Sequence, residues 1–159
     1  MNLTVDIQTA SAEPVPDEKD IRSWVHAALA GRIATDTAEV SVRLVDEPEM
    51  TALNETYRDQ PGATNVLSFP ADLPEGTDAP LLGDIVICAP VVRREAIDQG
   101  KTLDAHWAHM TVHGSLHLLG YDHVREDEAE VMEALETRIL QQLNYNCPYT
   151  HNGQREHTT

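Results

Sequence analysis

The chain has 159 residues, 41% of them hydrophobic, with 27 acidic and 11 basic side chains and a formal net charge of −16. That length suits one domain with a core of useful size, and no apolar run approaches the ~20 residues of a membrane-spanning helix. So negative a field repels nucleic acid over most of the surface, which argues against DNA as a partner and confines any RNA contact to a local patch.

The elements follow in chain order. The opening MNLTVDIQTA lacks a basic region followed by an apolar stretch, so no secretory signal is evident. Leu3, Val5 and Ile7 alternate with polar residues and predict a first strand. Pro16 and Asp17 open a helix with Ile21, Trp24, Val25, Ala28 and Leu29 on one face, and Gly31 ends it. Val40, Val42 and Leu44 predict a second strand, after which Asp46 can cap a helix running through Met50, Leu53 and Tyr57 towards Arg58. RDQPGATN reads as a loop and VLSF as a short third strand. Residues 70 to 82 hold three prolines and a glycine and predict an irregular connection. Asp84 to Cys88 is a fourth strand, and Pro90 suits the first turn of the next helix.

Thr102 can cap a further helix that carries the histidines and stops at Gly120. A last helix spans roughly 126 to 143, with Val131, Leu135, Leu140 and Leu143 among its candidates for burial. Glu126, Asp127, Glu128, Glu130, Glu133 and Glu136 then form its solvated face. The order predicts an α+β fold: one domain over residues 1–147 and a flexible tail over 148–159. Cys88 and Cys147 show no metal-type spacing, which fits a reducing, cytoplasmic compartment.

The chemistry lies in HGSLHLLGYDH, residues 113 to 123. His113 and His117 are four apart and share a helix face. Gly120 allows a left-handed turn that can bring His123 back beneath them. Three converging imidazoles are the three-ligand arrangement of catalytic zinc, though nickel, copper and cobalt also accept nitrogen. The spacing matches the metzincin pattern H-E-x-x-H-x-x-G-x-x-H except that Gly114 replaces the glutamate. In those proteases the glutamate is the general base, so the cage is intact while the peptidase base is missing.

HWAHMTVHGSLHLLGYDH, with LNETYR, TNVLSFP and LLGDIVIC before it, resembles the YbeY family from about residue 40 to residue 145. That resemblance implies a small α+β domain, a mixed four-stranded sheet with helices, related to zincin catalytic domains. It implies a single-strand-specific metallo-endoribonuclease linked to rRNA processing, including maturation of the 16S rRNA 3′ end, and to ribosome quality control. The family's metal ligands fall on His113, His117 and His123, for one zinc ion per chain, and its active-site arginine on Arg58. Arg58 and His113 are then the candidate catalytic residues. Pro61 and Ala63 depart from the residues many members carry there.

Around this centre, His109 is a candidate to pack beside or catalyse at the metal, and Asp122 to orient a ligating imidazole. Ser68, Arg93, Arg94 and Lys101 are candidate RNA contacts. An arginine fork grips two phosphate oxygens at once, so a patch of metal plus Arg58 can bind single-stranded RNA despite the net charge. A ribosome or ribosomal protein would supply further affinity. The attacking group is either a water, whose pKa a bound metal lowers from about 15.7 towards 7, or the adjacent 2′-hydroxyl. Two other readings compete: a metallohydrolase of another substrate, and a ribosome-associated assembly factor with a structural metal.

Overall fold

The computed structural model describes residues 2–33, 36–71, 81–121, 125–145, 150–151 and 154–155. Strand β1 (Asn2–Thr9) leads through helix α1 (Glu18–Leu29) to β2 (Thr37–Val45) and helix α2 (Glu47–Arg58). Next come β3 (Val66–Pro70), β4 (Leu81–Cys88), α3 (Ala89–Gln99), α4 (Leu103–Leu118) and α5 (Glu126–Gln142). Thr150–His151 and Gln154–Arg155 (β5 and β6) pair antiparallel, apart from the main sheet.

The main sheet has the order β1-β2-β4-β3. β1, β2 and β4 run parallel, and β3 is the antiparallel edge. This is the expected α+β domain with a mixed four-stranded sheet. Alternation along the strands divides the core into two. Val40, Val42, Leu44, Ile85 and Ile87 pack with α1, α4 and α5, while Val45, Leu67, Val86 and Cys88 pack with Met50 of α2 and Val91 of α3.

Helix α4 is the centre of the larger core and is buried along almost its whole length. Thr102 caps it as expected, accepting from the Ala105 N–H at 3.1 Å. Thr111 and Ser115 satisfy their buried hydroxyls by donating to the Trp107 and Thr111 carbonyls, both at 2.8 Å. At Gly114 the helix lies against the sheet. A Cβ there would stand 2.9 Å from Ile85 Cγ2 and 3.1 Å from Val66 Cγ2, and the Ser68 hydroxyl donates to the Gly114 carbonyl at 2.8 Å. The missing glutamate thus has a steric reason. This position faces the sheet, and a long side chain would force the helix off it.

Three expectations are corrected. Strand β4 begins at Leu81 rather than Asp84, because Leu81 and Gly83 already pair with Glu39 and Val40 across a bulge. Asp46 holds the N-cap position of α2 but does not cap it with its side chain. Its carboxylate instead accepts from the Ser11 hydroxyl and, at 3.0 Å, from the Ala12 N–H. In α5 the buried stripe is Met132, Leu135, Glu136, Ile139 and Leu140, whereas Val131 is 59% exposed. The inward face is turned by about one residue, and that carries Glu133 and Glu136 inside.

Candidate metal centre and active-site cavity

His106, His109, His113 and His117 follow one another at three- and four-residue steps along α4, so they form one stripe. Glu136, fully buried on α5, meets the middle of it. The His109 Nε2 lies 2.8 Å from Glu136 Oε1, and the His113 Nδ1 lies 2.6 Å from Oε2. Burial, opposed by the Glu136 charge, holds the His109 imidazole down at about 4. Burial alone would raise the Glu136 carboxyl, but the hydrogen bonds and charges of His109 and His113 outweigh it and hold it well below the usual carboxylate range. The physical picture is an ionised carboxylate accepting an N–H from each imidazole.

His109, His113 and Glu136 form a candidate metal site, with donor atoms within 4.8 Å of one another. A second pairing adjoins it: the His113 and His117 Nε2 atoms are 3.1 Å apart. Two nitrogens on one zinc ion stand about 3.3 Å apart, given bonds of about 2.0–2.1 Å and tetrahedral angles. With its Nδ1–H donated to Glu136, His113 keeps the Nε2 lone pair facing His117. The donor chemistry therefore fits a metal held by Nε2 atoms, with Glu136 orienting the ligand as carboxylates commonly do. His123 and Asp122 lie outside the described residues.

The histidines open onto a cavity of about 760 Å3. His109, His113, His117 and Tyr121, from α4 and the residues after it, line the cavity together with Asn54, Arg58, Thr64, Asn65 and Ser68, from α2, the loop after it and β3. Arg58 is exposed and makes no hydrogen bond or ion pair among the described residues. Five other arginines are committed to carboxylates: Arg22, Arg43, Arg93, Arg94 and Arg125. Arg93 grips Glu13 and Arg94 grips Glu47, each through two hydrogen bonds. Neither borders the cavity, and nor does Lys101. Ser68 does, but its hydroxyl proton is engaged with Gly114.

Sequence reasoning missed Glu136, Asn54 and Asn65. The signal for Glu136 was its place between Met132 and Ile139, four and three residues away on an apolar stripe. His106 is buried too, with its Nε2 2.8 Å from Glu95 Oε1. The same carboxylate receives the Asn65 amide at 3.2 Å on each oxygen. Burial raises the Glu95 carboxyl, but the bonds from His106 and Asn65 prevail and keep it below its ordinary value.

Fold and site together define the class: an α+β domain with a candidate metal site on a buried helix, open to a polar cavity with one unpaired arginine. The family model for endoribonuclease YbeY matches residues 5–144. An endoribonuclease YbeY from Pseudomonas syringae pv. tomato is 54% identical over 156 residues, covering 98% of this chain and 93% of its own length. One from Cellvibrio japonicus is 58% identical over 147 residues, covering 92% of this chain and 82% of its own. The chain belongs to the YbeY endoribonuclease family. A solution structure of a Thermotoga maritima protein shares the fold, with a TM-score of 0.58 at 23% identity over 89% of this chain and 92% of that one. No helix of the described residues is long and apolar enough to cross a membrane.

Proposed function

We propose that this chain is a zinc-dependent endoribonuclease that cleaves single-stranded RNA in the cavity between α4 and the segment from Arg58 to Ser68. The observation that carries the reading is the pairing of two chemistries across one space. His113 and His117 present Nε2 atoms 3.1 Å apart, and Arg58, whose guanidinium is unpaired, lines the same cavity. His113, His117 and His123 would hold the metal, with Glu136 orienting His113 and His109 completing the buried hydrogen-bond set. When bound, the ion supplies Lewis-acid polarisation of a phosphoryl oxygen or activation of the attacking oxygen. Arg58 binds the scissile phosphate through its fork and holds its charge.

Gly114 weighs against peptidase chemistry, because nothing at that position can take the proton. rRNA processing, including the 16S rRNA 3′ end, and ribosome quality control in the cytoplasm are the biological part of this reading. Family membership supports them; the charge of −16 opposes RNA binding over most of the surface, so a ribosomal partner would add the affinity. The test is cleavage by the purified, metal-loaded protein of a structured and an unstructured RNA, with His117→Ala as control. Cutting confined to the unstructured RNA and lost in the variant is expected. Equal cutting of both, or activity in the control, overturns the reading.

A further inference from the structure

Arg58 has no side-chain partner, so only the backbone beneath it fixes where its guanidinium can reach. It is the last residue of α2. One turn earlier stands Asn54, buried to 6% exposure and bordering the same cavity. Its side-chain amide donates to the Gly62 carbonyl at 3.0 Å. A carbonyl only accepts, so the NH2 end must face Gly62. The backbone carbonyl of Asn54 meanwhile accepts the N–H of Asp59 and, at 3.3 Å, that of Gln60.

Asn54 therefore holds the chain after Arg58 at three points. Asp59 adopts a left-handed φ of 55°, uncommon for a residue with a side chain, and Gly62 one of 80°. The far end of the loop is fixed separately, by Asn65 on Glu95 and by the Cys88 N–H on the Asn65 carbonyl at 2.9 Å. One residue before Arg58, Tyr57 meets Phe69 edge-on, with ring centroids 5.4 Å apart. The helix end is thus held by a ring contact at Tyr57 and by the hydrogen bonds of Asn54.

We propose that Asn54 is a positioning residue for the cleavage reaction, setting the place of Arg58 through its clamp on Gly62. Alanine would leave the Gly62 carbonyl without this donor, aspartate would set two acceptors face to face, and glutamine would overreach by a methylene. The proposal rests on the role given to Arg58, and the test separates the two.

The experiment is a double-mutant cycle: single-turnover cleavage of an unstructured RNA oligonucleotide by metal-loaded wild type, Asn54→Ala, Arg58→Ala and the double variant, with bound metal and thermal midpoint measured for each. Asn54→Ala should slow cleavage by about 10- to 100-fold, the scale of a misplaced group. In the Arg58→Ala background it should change the rate by less than about twofold, because residues that act through one another are non-additive. Gly62→Ala disturbs the clamp from its other end. Its Cβ meets nothing within 4 Å, but the left-handed backbone is strained by a side chain. It should show the same dependence on Arg58, and it carries the cycle if Asn54→Ala fails to fold. Equal losses in both backgrounds would mean that Asn54 acts on RNA directly and would overturn the proposal, as would wild-type rates in Asn54→Ala and Gly62→Ala. Wild-type cleavage by Arg58→Ala alone would instead refute the role of the arginine.

Discussion

The two walls of the cavity are built in opposite ways. The histidine wall is part of the core: α4 is buried nearly throughout, and its His109 and His113 imidazoles are locked by a carboxylate that is itself fully buried. The arginine wall is a helix end and a loop, with Arg58 exposed and held only through its backbone. A metal ligand gains from rigidity, because ring orientation and tautomer must be fixed before the ion arrives. A phosphate-gripping arginine gains from standing unpaired, because a carboxylate partner would compete with the phosphate. Five other arginines are paired with carboxylates, whereas this one, the arginine that borders the cavity, is not, and it brings positive charge to that cavity within a strongly negative molecule.

The largest expected effect breaks the histidine wall. The His117→Ala/His123→Ala double variant should lose tight zinc binding, about one ion per chain in the wild type, and cleavage with it. Elemental analysis after dialysis checks this, and full occupancy would disprove the proposed ligands. Glu136→Gln sharpens the same side. A glutamine can accept from one histidine only and turns its NH2 towards the other, so zinc affinity should fall by about 10- to 100-fold, read by competition with a chelator. Acid attacks the wall as well. Ligand imidazoles must be neutral, so zinc affinity, read by the same competition, should weaken as pH falls.

The smallest effects lie away from both walls. Tyr145 packs against the main core, and its hydroxyl donates to Asp104 at 2.7 Å. Burial first, and then the Asp104 carboxylate, push that hydroxyl up to about 12. Tyr145→Phe should cost about 1 kcal/mol in thermal or denaturant unfolding. Truncation after Pro148 should leave metal content and thermal midpoint unchanged, and a loss of either would place the C-terminus within the folded domain.

Much of this was legible in the chain. Periodicity alone identified the buried face of α1 residue for residue, and the i, i+4 histidines announced a shared face on α4. What failed did so for physical reasons. An acidic residue on an apolar stripe has the same hydropathy as one in water, so Glu136 was placed on the solvated face until its partners on α4 were in view. Asp46 reads as a helix cap by position, but an amide and a hydroxyl from a segment over thirty residues away claim its carboxylate. Arg58 pointed to function only by family resemblance, since an arginine at a helix end usually serves the helix. The cavity and the missing ion partner give it a separate basis.

The division of labour between the walls is most directly tested by zinc content and single-turnover RNA cleavage measured together on wild type, Arg58→Ala and Arg58→Lys. Arg58 is exposed and has no lone pair for a metal, so Arg58→Ala should keep its zinc and its thermal midpoint while cleavage drops by about 10²–10³, the scale of one electrostatic stabiliser. Arg58→Lys should recover part of the rate, because a lysine keeps the charge without the fork. A zinc-loaded, well-folded Arg58→Ala protein that cleaves at the wild-type rate would contradict the two-wall mechanism.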